Sequence, residues 1–274
     1  MDNNPLRQYF RRPAVYMRLP SGGEGYEPGT LEMPESGEIP VYPMTAIDEI
    51  TSRTPDALFN GTALAELIKS CIPAIKDPWA VSSSDMDAVL ISIKIASGSD
   101  VMEIIADCPE CKETSTYGLN LSGVLSTIKA GDYSSLLNLG DLTIKFKPVT
   151  YRIMNEASLG QFELQRAFMR VENVEDEDEK NRITKEALEN LTLLTMKILT
   201  KSIEYIQTPT VEVREEEFIL EFLQSCGKNE YNTIRDFNSN LRSETEIKPM
   251  KIQCDSCQHV YEQPFSISPV DFFE

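Results

Sequence analysis

The chain has 274 residues, 41% of them hydrophobic, and its 26 Lys and Arg against 44 Asp and Glu give a formal net charge of −18. This length accommodates one large domain or two smaller ones, with enough apolar residues for a substantial core. The negative charge disfavours generic binding to nucleic acid or anionic lipid, and no apolar run approaches the roughly 20 residues needed to span a bilayer.

Residues 1–45 are rich in Pro and Gly and show no helical periodicity, which predicts an extended N-terminal arm with short turns. Short strands are predicted at "AVYMRL" (14–19) and "EIPVYP" (38–43). The segment lacks the apolar region and the cleavage site of a signal peptide, so we expect the chain to stay in a reducing cytoplasm.

The start of this arm is locally basic, because Arg7, Arg11, Arg12 and Arg18 face only Asp2 within the first twenty residues. Two interpretations are open. The charges are either scattered without a role or belong to an arm that docks on an acidic neighbouring subunit.

Residues 46–125 are predicted to form a helical segment followed by a hairpin. An amphipathic helix lies in "FNGTALAELIKSCIPAI" (59–75), and a second helix follows "SSSD" (82–85) and ends at Gly98. The strand-like runs "DVMEIIAD" and "KETSTYGLNL" then enclose "CPEC" (108–111), which predicts a β-hairpin with a cysteine pair at its tip.

Residues 126–245 are predicted to be a mainly helical insertion. One strand, "LTIKFKPV" (142–149), precedes a helical pattern from 151 to 241, in which residues 186–206 give the strongest signal. The acidic run at 172–179 is interpreted as a solvated loop or a frayed helix start and not as a cation site.

Residues 246–274 repeat the earlier hairpin pattern, with "CDSC" (254–257) between two strand-like runs. The sequence therefore predicts an α+β fold. It consists of a mostly helical body, two β-hairpin knuckles that form a zinc ribbon, and the extended N-terminal arm.

The two CxxC pairs are the main chemical signal. One pair supplies two thiolates, which do not complete a tetrahedral zinc site, so the second pair is the candidate for the remaining ligands. The predicted metal ligands are thus Cys108, Cys111, Cys254 and Cys257, which would hold a structural Zn²⁺ with no open position for catalysis.

Other interpretations remain open for these cysteines. A thioredoxin-type redox pair would lie at the start of a helix, whereas each pair here lies between strand-like runs. Two half-sites completed by a second chain, or His259 in place of one cysteine, are further alternatives. Because His259 is the single histidine, neither a Ser-His-Asp nor a Cys-His catalytic pair can be assembled elsewhere, and no phosphate-binding glycine motif is present.

The stretch "EIPVYPMTAIDEITSRTPDALFNG", continuing through "IKSCIPAIKDPWAVSSSDMDAVLISIKIASG" into "CPEC", resembles the baseplate hub proteins of T4-like contractile-tailed bacteriophages. The resemblance is carried by "YPMTAIDE", "TPDALFNG" and "DPW" in this order. It covers roughly residues 10–125, with a weaker echo in the closing CxxC knuckle, and no motif between about 150 and 245 matches.

The resemblance implies a non-enzymatic structural subunit of the virion, a late protein in or next to the central hub of the tail baseplate. Such a subunit would join the hub or spike to wedge or tail-tube proteins during tail assembly in the host cytoplasm. It would have no catalytic residues, no small-molecule substrate, no nucleic-acid partner and no membrane insertion.

Two rival functions belong to other classes. A zinc-ribbon adaptor in a nucleic-acid or transcription complex usually carries a basic face, whereas the knuckles offer only Lys112, Lys248 and Lys251. A metal-dependent hydrolase needs an open coordination position.

Overall fold

The computed structural model describes residues 4–52, 60–172, 174 and 176–265, without the side chains of residues 52 and 172. Most of the motif "TPDALFNG" and the closing "SPVDFFE" lie outside the described residues. The chain divides into two compact units. Unit 1 comprises Met1–Pro78, Ser84–Ala130 and Thr245–Glu274, and unit 2 comprises Trp79–Ser83 and Gly131–Glu244.

The described helices and strands are named here in chain order. The helices are α1 (Ala46–Ser52), α2 (Thr62–Cys71), α3 (Ser83–Ala96), α4 (Leu121–Leu125), α5 (Tyr151–Glu172), α6 (Glu177–Ser202), α7 (Glu216–Ser225) and α8 (Lys228–Thr245). The strands are β1 (Val15–Met17), β2 (Ile39–Val41), β3 (Val101–Asp107), β4 (Thr114–Asn120), β5 (Leu136–Leu139), β6 (Leu142–Phe146), β7 (Ile203–Gln207), β8 (Glu212–Val213), β9 (Met250–Gln253) and β10 (Val260–Gln263). These strands form three two-stranded sheets, β1–β2, β3–β4 and β9–β10, and one four-stranded sheet in the order β5-β6-β7-β8. No helix in the described part of the chain has the length and apolar content to cross a membrane.

The N-terminal segment, which the sequence predicts to be an extended arm, packs into unit 1 over much of its length. Strands β1 and β2 pair antiparallel, with Met17 opposite Ile39, and both of these side chains are buried. A short 3₁₀ turn precedes them at Pro5–Tyr9. The strands predicted at 14–19 and 38–43 are present as β1 and β2, and alternating apolar residues in both bury one face against the core.

The core of unit 1 is built around α2 and α3. Leu64, Leu67, Ile68 and Cys71 recur at helical spacing on α2 and are buried, as the amphipathic pattern predicts. Helix α3 is buried on nearly all sides, and its Asp85 carboxylate accepts hydrogen bonds from the glycine-rich turn that follows β1. The N-terminal segment is thereby fixed to the helical core by hydrogen bonds to a buried carboxylate.

Unit 2 combines the four-stranded sheet with α5 to α8. The strand predicted at 142–149 is confirmed as β6, whereas residues 203–206, predicted as the end of the helical segment 186–206, lie in β7 instead. Ile206 of β7 lies opposite Ile144 of β6, and both are buried in the unit's apolar core. Pairing with β6 satisfies the backbone of this β-branched and aromatic segment, and this tertiary contact overrides the helical periodicity.

Candidate metal centre

The first cysteine pair lies at the tip of a regular hairpin in unit 1. Strands β3 and β4 pair from Val101 opposite Asn120 to Asp107 opposite Thr114. Beyond the last pair, the Cys108 amide donates to the Glu113 carbonyl oxygen, and the Lys112 amide donates to the Cys108 carbonyl oxygen, both at 2.9 Å. These two bonds close a tight turn around "CPEC", as the sequence predicts.

The second pair repeats the same backbone geometry. The Cys254 amide donates to the His259 carbonyl oxygen and the Gln258 amide donates to the Cys254 carbonyl oxygen, again at 2.9 Å. The residue after each pair, Lys112 and Gln258, has a φ of 62°, a left-handed conformation uncommon for residues other than glycine. The residues between the cysteines differ in the two pairs, Pro-Glu in the first and Asp-Ser in the second, but both pairs form the same type of turn. This turn presents both sulfurs of a pair on the same side of its hairpin.

An apolar cluster in unit 1 positions the two hairpins. Ile91 of α3 and Leu121 of α4 form a buried cluster with Ile247 and Phe265, the residues that flank the second hairpin. Side chains of the hairpins themselves pack against this cluster, namely Met102, Ile104, Leu119 and Met250. Burial of this apolar surface holds the second hairpin beside the first, although most of unit 2 intervenes in the sequence.

The four predicted ligands converge at one place. The sulfur of Cys108 lies 3.6 Å from that of Cys257, and the sulfur of Cys111 lies 3.6 Å from that of Cys254. All four sulfurs lie within 4.8 Å of one another. Tetrahedral coordination with bonds of about 2.3 Å puts sulfurs about 3.8 Å apart, so the four side chains fit a single tetrahedral ion.

The two knuckles contribute to the cluster in the same way. The first cysteine of each pair, Cys108 or Cys254, is buried, and the second, Cys111 or Cys257, is exposed. The cluster therefore lies at the edge of unit 1, with one side covered by protein and the other facing solvent.

Backbone amides favour ionised sulfur at this site. The amides of Cys111 and Glu110 lower the pKa of the Cys108 thiol to about 6. Although the Glu113 amide lowers it, the pKa of Cys111 is raised to about 12 by partial desolvation of its sulfur and by the three other sulfurs. Several thiolates this close repel one another, so full ionisation of the set requires a cation among them.

Two tyrosines beside the cysteines were missed by the sequence reasoning. The hydroxyl groups of Tyr117 on β4 and Tyr261 on β10 are both buried. The pKa of Tyr261 is raised well above its ordinary value. Burial is the largest cause, and the Tyr117 hydroxyl and the sulfurs of Cys108 and Cys254 raise it further. Their positions within ordinary strand patterns gave no signal, because their proximity to the sulfurs arises only when the two hairpins meet.

The geometry also bears on the alternatives for the cysteines. Thioredoxin-type redox pairs lie at the start of a helix. Both pairs in this chain lie instead in turns between strands. Both pairs come from one chain, so no second chain is needed to complete the set. His259 contributes its carbonyl oxygen to the turn but is not among the four clustered side chains.

The remaining cysteines lie apart from this cluster. Cys71 is buried in α2, as the sequence predicts, and burial raises the pKa of its thiol to about 11. Cys226 is half-buried at the end of α7 in unit 2. Within the described residues, the four-cysteine cluster is the only group of His, Cys, Asp or Glu side chains arranged to hold a metal ion.

Comparison with known proteins identifies a family. A family model described as T4 bacteriophage base plate protein matches residues 28–274, which include both cysteine pairs and the helical region that carries no recognisable motif. No curated protein and no solved structure matches the chain. Because the matched residues make up nearly the whole chain, it belongs to the T4 bacteriophage base plate proteins.

Proposed function

We propose that this base plate protein is a non-enzymatic structural subunit in or next to the central hub of the tail baseplate. There it joins the hub or spike to wedge or tail-tube proteins during tail assembly in the host cytoplasm. The observation that carries the proposal is the closed set of four cysteines in a chain of this family.

The four sulfurs of Cys108, Cys111, Cys254 and Cys257 are the ligands of a structural Zn²⁺ in this proposal. Zinc favours tetrahedral thiolate coordination, and the separations of the sulfurs suit it. When bound, the ion neutralises the thiolates and ties residue 108 to residue 257. Such a link stabilises the two small hairpins, since two-stranded hairpins are at best marginally stable alone.

A structural role follows from the composition of this ligand set. Four protein ligands fill a tetrahedral site, which leaves no position for a water molecule or a substrate. The site therefore suits a rigid element that keeps its shape while neighbouring subunits assemble around it.

The N-terminal segment supplies a contact surface for an acidic neighbouring subunit. Residues 4–18 carry four arginines and no carboxylate, in a chain whose net charge is −18. Arg11 is bonded within unit 1 and Arg18 pairs with Glu38, whereas Arg7 and Arg12 are exposed. Exposed large apolar side chains accompany this charge, namely Leu6, Tyr9, Phe10 and Tyr16. Aromatic residues and arginine are enriched where proteins bind each other, so this composition fits an interface with an acidic protein.

A density map of the assembled tail tests the proposal directly. The expected result is this chain at the tail axis, with metal density at the four sulfurs and residues 4–18 against a carboxylate-rich surface. Density for the chain only at the periphery of the baseplate, or its absence from the finished and the assembling tail, would overturn the hub assignment.

A second experiment tests the contact surface alone. The triple substitution of Leu6, Tyr9 and Phe10 by serine should leave metal content and thermal unfolding unchanged, because these side chains are exposed. Incorporation into tails should fall at least tenfold. Normal incorporation would reject the N-terminal segment as an interface while leaving the metal site unaffected.

A further inference from the structure

Two tyrosines lie on the inner faces of the hairpins that carry the cysteines. Tyr117 of β4 is opposite Ile104 of β3, and Tyr261 of β10 is opposite Ile252 of β9. Side chains alternate between the two faces of a strand. In all four strands every second residue, these four included, is buried or half-buried, and the residues between them are exposed. Both phenol rings therefore point to the covered side of their hairpins.

The strand register places Tyr261 within reach of the Cys254 sulfur. Cys254 follows Ile252 by two residues on the same face, so it is the diagonal neighbour of Tyr261 across the hairpin. Diagonal neighbours lie about 7–8 Å apart, a distance that aromatic side chains can span. The amide of Cys254 donates to the His259 carbonyl oxygen, so the pairing of the two strands continues to this point. The side chain of Cys254 is fully buried, which keeps water from competing for its sulfur.

The hydroxyl groups of both tyrosines lack hydrogen bonds. Within the described part of the chain, neither the Tyr117 nor the Tyr261 hydroxyl oxygen has a hydrogen-bond partner, although both oxygens are buried. A buried hydroxyl without a partner has lost its hydrogen bonds to water and gained none from the protein, which destabilises the fold. Nearly all buried polar groups are paired, so an unpaired one indicates that an acceptor or an ion is missing from its surroundings.

The surroundings of Tyr261 identify the groups close to its hydroxyl. Burial raises its pKa, and the Tyr117 hydroxyl and the sulfurs of Cys108 and Cys254 raise it further. The two hydroxyls together carry two O–H donors, and a bond between them uses only one of these donors. The other donor needs an acceptor outside the pair, and a cysteine sulfur beside Tyr261 can supply it.

The Cys254 sulfur becomes a strong acceptor when it is ionised for metal binding. A thiol sulfur accepts hydrogen bonds weakly, whereas a metal ligand is a thiolate, whose charge strengthens the bonds that it accepts. Metal ligands in proteins are commonly held by hydrogen bonds from neighbouring groups that do not touch the metal.

We propose that the Tyr261 hydroxyl donates a hydrogen bond to the metal-bound sulfur of Cys254, and that the Tyr117 hydroxyl donates to the oxygen of Tyr261. Both buried donors are then paired. Tyr261 is a positioning residue for the metal centre, and Tyr117 acts through Tyr261. This inference rests on the metal centre of the proposed function.

Zinc affinity of the purified full-length protein, measured by competition with a chromophoric chelator, tests the bond from Tyr261. Tyr261→Phe keeps the ring and removes the hydroxyl, and it should weaken zinc binding about tenfold, the lower end of the usual effect of removing such a partner. The matched control is Tyr16→Phe, which removes a hydroxyl from an exposed ring of unit 1 and should leave the affinity unchanged. Unchanged affinity in Tyr261→Phe would overturn the proposal.

A double-mutant cycle tests whether Tyr117 acts through Tyr261. Tyr117→Phe should weaken zinc binding less than Tyr261→Phe does. The double variant should bind zinc no more weakly than Tyr261→Phe alone, because Tyr117 does not contact the sulfur itself. Effects of the two substitutions that add in full would reject the bond from Tyr117 to Tyr261.

Cobalt in place of zinc gives a readout that a loss of packing does not produce. A hydrogen bond to a thiolate lowers the energy of its lone pairs, so Tyr261→Phe should move the sulfur-to-cobalt charge-transfer band to longer wavelength while four sulfur ligands are retained. In the metal-free protein, Tyr261→Phe should not lower the urea concentration at half-unfolding, because its hydroxyl has no partner among the described residues. An equal loss of stability with and without metal would show that the ring's packing is responsible and would overturn the proposal.

The wild-type protein separates this inference from the metal centre on which it depends. A wild type that binds no zinc would overturn both. One zinc per wild-type chain, with the same affinity and the same cobalt spectrum in Tyr261→Phe, would overturn the hydrogen bond alone and leave the metal centre in place.

Discussion

The sulfur of Cys108 lies 3.6 Å from the sulfur of Cys257, although 149 positions separate the two residues in the chain. The equivalent cross-pair, Cys111 and Cys254, has the same separation. Each knuckle thus places one buried and one exposed sulfur against the other knuckle. A metal ion bound here would couple two segments of unit 1 that lie far apart in the sequence.

The double substitution Cys254→Ser and Cys257→Ser should reduce bound zinc from one ion per chain to none, as measured by atomic emission. Structural zinc sites supply a metal-binding free energy on the order of 10 kcal/mol, so the knuckles should lose their hydrogen-exchange protection at room temperature. The matched control is Cys226→Ser, which lies outside the cluster and should retain the metal. Zinc retained by the double variant would contradict the four-sulfur site.

Cobalt substitution tests the ligand set independently. The spectrum should report four sulfur ligands and should not change when small anions are added, because no position is open. Fewer than four sulfur ligands would favour an open metal site and would revive the hydrolase alternative.

Arg11 should contribute strongly to the stability of unit 1, whereas its neighbour Arg12 should not. The Arg11 guanidinium donates to the Pro43 carbonyl oxygen at 2.6 Å and to the Ser70 carbonyl oxygen at 2.8 Å. Arg11→Ala should therefore lower the free energy of unfolding in urea by about 2–3 kcal/mol. Arg12 is exposed, so Arg12→Ala should cost less than about 0.5 kcal/mol. Equal effects of the two substitutions would show that the guanidinium contacts of Arg11 are not the source of its contribution.

Asp85 should be required for fixing the N-terminal segment to α3. Its carboxylate accepts hydrogen bonds from the Ser21 amide at 2.8 Å, the Ser21 hydroxyl at 2.6 Å and the Tyr26 hydroxyl at 3.0 Å. Asp85→Ala should destabilise the protein by about 3 kcal/mol, since three half-buried donors lose a fully buried acceptor.

Two related variants should lose less stability than Asp85→Ala. Asp85→Asn keeps an acceptor oxygen and should cost less, in keeping with burial raising the pKa of this carboxyl group. Tyr26→Phe removes one of the three bonds and should cost about 1 kcal/mol. If Asp85→Ala unfolds at the same urea concentration as the wild type, the three bonds do not stabilise the fold.

Asp87 should make stability decrease as the pH rises. The pKa of Asp87 is raised from its ordinary value of 3.8 to about 6. Burial is the larger cause, and the nearby Glu246 carboxylate is the second. The folded chain then binds this proton more tightly than the unfolded chain, so the free energy of unfolding falls between about pH 4 and pH 6 and stays lower above that range. Asp87→Asn removes the effect and should be more stable than the wild type by about 2 kcal/mol at pH 7.

Urea unfolding of both chains between pH 4 and pH 7.5 measures this difference. Zinc and cysteine ionisation affect both chains alike, so the difference between them isolates Asp87. The stabilisation should vanish near pH 4, and Glu246→Gln should reproduce a smaller part of it. A difference that is constant with pH would exclude ionisation of Asp87 as the cause.

Local features of this chain follow from its sequence alone. The hairpin strands around each CxxC pair and the apolar stripe of α2 depend on residues close together in the chain. Alternation of side chains and turn chemistry act over a few residues, so a pattern in the sequence predicts them.

Other features were decided only when distant segments met. Residues 203–207 extend a helical pattern but form a strand, because their partner β6 lies some sixty residues earlier. The N-terminal segment contains too few apolar residues to predict a docking site, yet Arg11 finds carbonyl oxygens on two distant segments. The sequence determined that two cysteine turns exist and what each can bind. Only the apolar contacts among Ile91, Leu121, Ile247 and Phe265 decided that they meet, because burial is non-directional and depends on the whole unit.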